Sequence, residues 1–563
     1  MPAQPLYHIV IVDLDQHTQK PIVFSEPGVA ILQPVALVDR TLSLPQFIPD
    51  KSVANGDLDQ NMVTDEVGAI DIRSVYDTTS FTGIGMQAAR LFNNEKLPCN
   101  TPDFSCVDGN TALLSKIANP DYVTTPFNSP TDMTLPRRPA RFVRIVTAVP
   151  TPPKIPRFAY GTTNTEMRAI AGYAPVEPDG SVYVEVPADV PFAVEVLDDQ
   201  GRKFASHNDW MQVRPGETLK CNGCHSPSDG SASINAGASM DGTPYFSNIN
   251  PAVIVADATT NIYVPRKDDT MAEARVRLSC ETGTQFCDAR KLQSDLEYND
   301  VWSDPAMMTP EASYHIEYKD SDLSDGNDGL STTLPILNAG PVNTANCTGD
   351  PANPGDRGAW ISKCRIVINY LEHIQPLWDK DRTADSAGNP FLDAGGQPVN
   401  YRCTTCHSDT AADGVTAQVP AGARQLDLAA ADPTTAIQNP DDNWATSYQE
   451  LLRPKFEREI DAMGALIVSQ DSVTQDVTDP VTGITTSVTT FTNRPLSTGS
   501  PIVAFSARRS YLIEKLTETE LGAGRSLTTT VDHSKMMTAA EIRLISEWID
   551  LGVPYYSNPY VIP

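Results

Sequence analysis

Apolar positions follow two rhythms along this chain. In the first two hundred residues they alternate or run in short β-branched blocks. Tyr7-His8-Ile9-Val10-Ile11-Val12 is one such block, Asp13-Leu14-Asp15-Gln16 reads as a turn, and Pro21-Ile22-Val23-Phe24 reads as the returning strand. Phe142–Val146, Ser181–Val186 and Phe192–Leu197 have strand length and strand pattern. Asp179-Gly180 and Asp198-Asp199-Gln200-Gly201 supply turn chemistry between them. Ser313-Tyr314-His315-Ile316-Glu317-Tyr318 is a further strand candidate. Later the period lengthens: Trp360, Cys364, Val367, Leu371, Ile374 and Trp378 recur at three and four, which predicts one face of a helix. Ser447–Leu452 and Arg508–Leu516 read as further helices. Thr538 and Glu541 form a capping box ahead of Ile542, Ile545 and Ile549, and Gly552 with Pro554 ends that helix. Between Ile467 and Pro495 a Val/Thr alternation around Thr482-Gly483 predicts an inserted hairpin.

These patterns predict an α+β, multidomain chain. A β segment over 1–60 precedes a β-rich, sandwich-like middle domain over 61–250. A β/loop connection follows over 251–345, then a mainly helical domain over 346–563 carrying the hairpin. The Pro/Asn/Asp/Thr-rich stretch 96–140 reads as loop. A chain of 563 residues with 40% apolar positions is long enough for several cores. Its 46 prolines and 33 glycines imply many turns. No apolar run reaches bilayer length, so no membrane span is expected.

Charge narrows the partners. The formal net charge is −29, from 42 Lys+Arg against 71 Asp+Glu. That field disfavours nucleic acid, whose phosphates need cations, and anionic membrane surfaces. It suits solubility first.

The chemistry lies in two pentapeptides, Cys221-Asn222-Gly223-Cys224-His225 and Cys403-Thr404-Thr405-Cys406-His407. Each is a C-x-x-C-H, the attachment signature of c-type haem. Two thiols at this spacing reach the two vinyl groups and form thioethers, and the adjacent histidine offers its imidazole to the iron. A zinc knuckle would need the pairs in register, and they lie far apart. Two covalent haem c groups are therefore the expected cofactors, held by Cys221, Cys224, His225, Cys403, Cys406 and His407. Helices around the second motif, with a closing helix, give the layout of a cytochrome c-like domain.

The other cysteines, Cys99, Cys106, Cys280, Cys287, Cys347 and Cys364, fall in three local pairs. Proximity predicts disulfides Cys99–Cys106, Cys280–Cys287 and Cys347–Cys364. Disulfides and haem c agree on a periplasmic or extracellular, secreted protein. The start lacks the basic and apolar regions of a signal peptide, which is expected of a mature or truncated form. The acidic loop Asp320–Asp328 misses the EF-hand glycine by one place, so calcium is a weak expectation and a solvated loop the stronger.

The second axial position decides between carrier and catalyst, because a filled one leaves no place for substrate. For the second motif the candidates are His533, favoured, and Met536 or Met537, which can instead pack on the ring edge. For the first they are His207, then Met211, or an open site. Arg202, Lys203, Arg214 and Lys220 are basic neighbours that could pair with propionates or stay solvated. His8, His17 and His315 have no assigned role, and His373 could approach either ring.

Three segments together resemble one family: Val67-Gly68-Ala69-Ile70-Asp71-Ile72-Arg73-Ser74-Val75-Tyr76-Asp77, Gly172-Tyr173-Ala174-Pro175-Val176-Glu177-Pro178-Asp179-Gly180-Ser181, and Val213-Arg214-Pro215-Gly216-Glu217-Thr218 leading into Cys221–His225. They resemble the hydrazine synthase alpha subunit and its relatives over roughly residues 60–560. The resemblance implies an N-terminal propeller, of which residues 1–50 would be a remnant, then a β-rich haem domain and a C-terminal cytochrome c domain. In that family the middle haem is catalytic and takes an unusual tyrosine ligand four residues past the motif histidine. Here that position is Asp229, so hydrazine synthesis is not implied and ordinary ligation by His225 is expected. The family's C-terminal haem is bis-histidine, which implies His407 with His533.

Together these readings predict a secreted dihaem cytochrome relaying electrons to a redox partner protein or neighbouring cytochrome subunits, with a homo-oligomer or filament as an extension. The alternative is a haem redox enzyme whose open first haem acts on a small nitrogen or oxygen species.

Overall fold

The computed structural model describes residues 9–13, 18–23, 58–72, 75, 140–149, 167–177, 180–207, 210–221, 270–281, 287–298, 336–338, 360–362, 364–385, 388–392, 395–422, 424–429, 444–453, 455–496, 499–519, 521, 527 and 532–555. The chain divides into two compact units, Met1–Asp57 and Leu58–Pro563. In the first, β1 (Ile9–Asp13) and β2 (Thr18–Val23) pair antiparallel, Asp13 opposite Thr18, as the alternation and turn predict.

The second unit is mixed α+β. It opens with α1 (Gln60–Thr64), capped by the Asp59 carboxylate, which accepts from the Asn61 and Met62 amides. β3 (Val67–Ile72) follows, then β4 (Phe142–Ala148), β5 (Arg168–Pro175), β6 (Val182–Pro187), β7 (Phe192–Leu197), β8 (Lys203–Ser206) and β9 (Thr218–Cys221). After α2 (Met271–Glu281) come the short strands β10 (Ile336–Asn338) and β11 (Cys364–Ile366). Two sheets result, ordered β10-β11-β5-β4-β7-β8 and β6-β3-β9. Their apolar side chains, among them Ile70, Val184, Phe142, Val146 and Val194, enter one continuous core.

The predicted helix through Trp360 and Cys364 does not form there. Cys364–Ile366 is a strand that pairs with β10 and β5 and joins β10, the edge strand, to the rest of the six-stranded sheet. The β-branched run Ile366-Val367-Ile368 suits a pleat better than a helix, and sheet pairing overrides a spacing compatible with both. Helical turns begin only at Tyr370–Ile374, a π-helical turn, and continue as α3 (Gln375–Asp379). Then come α4 (Cys403–Cys406), α5 (Thr446–Leu452), the ribbon β12 (Arg458–Ile460) and β13 (Leu466–Val468), and the hairpin β14 (Gln470–Thr478) and β15 (Thr485–Asn493). α6 (Tyr511–Thr517) and α7 (Ala539–Asp550) close the unit. The Thr538/Glu541 capping box forms in full.

α7 lies against the six-stranded sheet through charge as well as apolar contact. Register sets Tyr173, Arg144 and Glu195 side by side across β5, β4 and β7. The helix brings Arg543, Glu547 and Asp550, at four- and three-residue spacing, to the same place. Arg144 donates to Glu195 Oε2 at 2.7 Å and to Asp550 Oδ2 at 3.2 Å. Tyr173 donates to Glu547 at 2.5 Å. Lys203 Nζ donates to Glu195 Oε1 at 3.0 Å and its amide to Asp550 Oδ2 at 2.9 Å. Arg543 pairs with Asp295 and Glu547. Arg144, Glu195, Glu547 and Asp550 are wholly buried. Burial alone would raise the Glu195 carboxyl, but Lys203 and Arg144 outweigh it and hold it down to about 2. This seam sets four carboxylates, Glu195, Asp295, Glu547 and Asp550, against the cations Arg144, Arg168, Lys203 and Arg543. Burial outweighs the nearby cations at Glu547 and pushes it up to about 8. The second Glu547 oxygen has no hydrogen-bond partner, as suits a neutral carboxyl.

Candidate functional site

The second C-x-x-C-H makes a single helical turn. Arg402 precedes it in extended conformation, and its guanidinium is anchored on Asp381. The His407 amide donates to the Cys403 carbonyl at 2.8 Å and closes the turn. Cys403 and Cys406, three residues apart, therefore share one face, and both thiols are free. A strap from Ala421 to Leu428 holds the turn. The Ala421 amide donates to the Cys406 carbonyl at 2.9 Å, and the Leu428 amide to the His407 carbonyl at 2.7 Å. Gly422 in the strap has φ of +82°, and a Cβ there would sit 4.0 Å from His407 Cε1. Glycine meets the backbone requirement of the strap beside the ring.

The tautomer of His407 follows from its partner. Nδ1 lies 3.2 Å from the Leu426 carbonyl oxygen, which can only accept. Nδ1 therefore carries the hydrogen, and Nε2 keeps its lone pair for a metal. Burial first, and then the facing His533, push His407 down to about 4, so the ring is neutral at pH 7. The two ring centroids stand 6.4 Å apart, with planes inclined at 46°. One metal bonded to a nitrogen of each ring, at about 2 Å per bond, separates the centroids by roughly 6 Å. The pair thus fits a single metal ion between them.

The structure brings together Cys403, Cys406, His407 and His533 from the predicted second site. Met537 packs in the hydrophobic core instead. Met536 is half-buried, and its carbonyl accepts from Arg382 at 2.7 Å. His373 has the opposite tautomer from His407. Its Nδ1 accepts from the Asn369 amide at 3.1 Å, so Nε2 carries the hydrogen and has no lone pair for iron. Burial pushes this ring also down to about 4.

Of the first motif, Cys221 is described and Asn222–His225 lie outside the described residues. Cys221 ends β9, which runs parallel to β3 with Cys221 opposite Ile72. It is free and half-buried, and burial, then Asp71, push its thiol up to about 11. Lys220 lies 3.6 Å from Asp71 and 3.8 Å from Glu273. Burial, then Glu273, push Asp71 up to about 7 against the pull of Lys220. His207 follows β8, its amide bonded to the Val194 carbonyl. Met211 is bridged to Phe192 by paired backbone hydrogen bonds of 2.8 Å and packs on the core. Arg202 and Lys203 are not solvated propionate partners. Arg202 pairs with Asp198 at 2.9 Å, and Lys203 is buried in the seam, because the acids of β7 and α7 leave buried anions that need cations. Arg214 pairs with Glu217 at 3.3 Å.

Cys364 is buried and disulfide-bonded, to a partner whose side chain lies outside the described residues. The side chains of Cys99, Cys106, Cys280, Cys287 and Cys347 lie outside them too, as do His8, His17, His315, Ser313–Tyr318, Asp229 and Asp320–Asp328. Among the described residues no three His, Cys, Asp or Glu side chains cluster to hold a metal ion, and no helix is long and apolar enough to cross a membrane. Sequence reasoning missed the Leu426 carbonyl, Gly422 and Arg382. A backbone acceptor leaves no sequence signal, and Lys380-Asp381-Arg382 reads as a solvated charge run.

Fold and site together define an α+β protein with a β-rich middle region and two C-x-x-C-H segments, the second facing a histidine. Residues 140–226, from two residues before β4 through the first motif, match the hydrazine synthase alpha subunit middle domain family. The likeness to hydrazine synthase alpha thus rests on that segment of the chain. Hydrazine synthase subunit alpha of Kuenenia stuttgartiensis is 38% identical over 63 residues, 11% of this chain and 8% of that protein. The solved Kuenenia stuttgartiensis hydrazine synthase aligns with 87% of this chain and 43% of its own at 16% identity, with a TM-score of 0.39. The chain thus spans less than half the length of these relatives.

Proposed function

We propose that this chain is a secreted c-type cytochrome that carries haem at both motifs and relays electrons. The observation that supports it most is the facing pair at the second motif. Two free thiols on one helical turn lead into His407, whose Nε2 is bare, and His533 stands at the distance one metal spans. Haem bound there would supply one-electron redox chemistry. The chain's own part is to hold it. Cys403 and Cys406 would attach it, the Leu426 carbonyl fixes the His407 tautomer so that Nε2 can bind metal, and His533 would be the second nitrogen donor and keep small molecules out. The same reading assigns a second haem to Cys221, Cys224 and His225. It also takes the helical region as a cytochrome c-like domain, places the protein in the periplasm or outside the cell, and gives it a redox protein or neighbouring cytochrome subunits as partners.

Intact mass is the first test: two added haem masses are expected, and none would end the proposal. Spectra follow. His533→Ala turns the second haem from low-spin to high-spin and opens it to CO; an unchanged spectrum removes His533 from the iron.

A second reading has the first haem open and acting on a small nitrogen or oxygen species. Met211 packs on the core, which narrows the first haem to His207 ligation or an open face. CO binding at the first haem of the unaltered protein supports this reading, and loss of its low-spin signal in His207→Ala argues against it.

A further inference from the structure

Between α3 and the second motif, the chain passes through Lys380-Asp381-Arg382. Arg382 is buried, its side chain 4% exposed, although nothing in its sequence setting marks it as a core residue. Its Nη1 donates to the Met536 carbonyl at 2.7 Å and to Glu541 Oε2 at 3.0 Å. Its Nη2 donates to the Leu377 carbonyl at 3.0 Å. The guanidinium is also near enough to Cys403 to act electrostatically on its thiol. One cation thus bonds the end of α3, the cap of α7 and the segment that carries His533, beside the first attachment cysteine.

Its neighbours complete the tie. Asp381 accepts from Asn400 Nδ2 at 2.7 Å and from Arg402 Nε at 3.0 Å, just before the motif. The Arg382 amide donates to Asn400 Oδ1, and its carbonyl accepts from the Tyr401 amide, both at 2.8 Å. On the other side Lys380 Nζ lies 3.4 Å from Glu541 Oε1. Glu541 also accepts from the Thr538 amide at 2.9 Å, directly after the distal segment. Within that segment the Met536 amide donates to the His533 carbonyl at 3.1 Å. Hydrogen bonds therefore run from His407's turn, through 400–402 and 380–382, to His533.

We propose that Lys380-Asp381-Arg382 is a clip that sets His533 opposite His407, with Arg382 the positioning residue that selects His533 over Met536 as distal ligand. Arg382 grips the Met536 backbone and not its thioether, which anchors the turn three residues after His533. The selection is electrostatic in origin: a buried guanidinium must keep its carbonyl and carboxylate acceptors, so the segment cannot slide to present the methionine. The inference rests on the proposed ligation by His407 and His533.

The test compares His533→Ala, Arg382→Gln, Arg382→Lys and Leu544→Ala in the full haem-loaded chain, against the unaltered protein. Leu544 is buried on α7 and takes no part in the clip. Arg382→Gln should raise the CO-binding rate of the second haem roughly tenfold, with a mixed-spin or methionine-ligated spectrum and a higher reduction potential. Arg382→Lys should restore part of the low-spin signal. Leu544→Ala should lower the melting temperature at least as far, with spectrum, potential and CO rate unchanged. If Arg382→Gln does not fold, Arg382→Lys and Glu541→Gln carry the same comparison. Unaltered ligation in every clip variant, with His533→Ala high-spin, overturns the clip and leaves the ligation reading standing. An unchanged spectrum in His533→Ala overturns both.

Discussion

The seam under α7 and the cleft beside α4 treat buried polar groups in opposite ways. In the seam, Arg144, Arg168, Lys203 and Arg543 each meet a carboxylate within the chain, and burial leaves Glu547 neutral. In the cleft, two imidazoles face each other. Burial first, and then the facing ring, push His407 down to about 4, and it stays neutral. The seam is complete as the chain folds; the cleft holds two nitrogen donors at a spacing suited to a metal. Pairing charge with charge fastens a helix to a sheet, whereas facing two bases prepares a site.

The largest effect expected from breaking this contrast is Arg144→Met. It leaves Glu195 and Asp550 buried beside too little positive charge, and removing one partner of a buried pair costs about 3–5 kcal/mol. Denaturant unfolding measures it. Arg144→Met with Glu195→Gln and Asp550→Asn should recover most of the loss, since apolar or neutral replacement of a whole buried cluster is far cheaper than half of it. A single variant as stable as the parent would mean that water reaches the seam.

The next effect is one of pH. An unfolded Glu547 releases its proton near 4.5, the folded one near 8. Between those values the folded chain holds a proton that the unfolded chain lacks, so this group makes stability fall as pH rises, levelling above about 8. Glu195 works the other way, its contribution being lost as pH falls from 4.5 through about 2. Glu547→Gln should make the decline between pH 5 and pH 8 shallower, read as melting temperature against pH, while Asp71, raised to about 7, and Asp427, raised to about 6, keep their share of it. A variant that keeps the parent slope would place the proton elsewhere in the seam.

A smaller effect sharpens the cleft. In protein made without haem attachment, His533→Ala should change unfolding free energy by no more than about 0.5 kcal/mol, as a replacement off the core does. A loss as large as that of Arg144→Met would make the histidine structural and dissolve the contrast.

The sequence made the two regions unequally legible. Strands β4, β6 and β7, the capping box and the hairpin turn are local, and alternation and turn chemistry reveal them. The second C-x-x-C-H and His533 also stand out in the sequence by residue type, and the fold sets His407 and His533 face to face. The seam was not. Tyr173, Arg144 and Glu195 are neighbours only through strand register, and Asp550 reaches Arg144 across 406 residues of chain. A buried arginine inside Phe142-Val143-Arg144-Ile145-Val146 reads as a solvent-facing break in the alternation until a helix covers it. Trp360 and Cys364 misled for a related reason: a three-and-four spacing inside a β-branched run fits either period, and pairing with β10 and β5 decides it.

The hairpin β14–β15 gives the smallest expected effect and the cleanest limit to the comparison. Its strands pair in unbroken register from Gln470 opposite Asn493 to Thr478 opposite Thr485. Nearly every residue of both strands is exposed, Val473, Val477, Val488 and Phe491 included. Neither face supplies core burial, so it adds local hydrogen bonds and the exposed Arg494–Asp471 pair, which is worth about 0–1 kcal/mol. Because Asp471 and Thr492 are direct partners at a hydrogen-bonded position of the ladder, an Asn-Gly turn can replace residues 472–491 without moving the strand ends. The shortened chain should unfold within about 1 kcal/mol of the parent and keep the spectrum of the second haem, since the clip, the strap and the His533 segment lie outside the excised residues. A large loss of stability would show that exposed strands contribute to this fold through contacts other than burial, and a changed spectrum would tie the hairpin to the cleft.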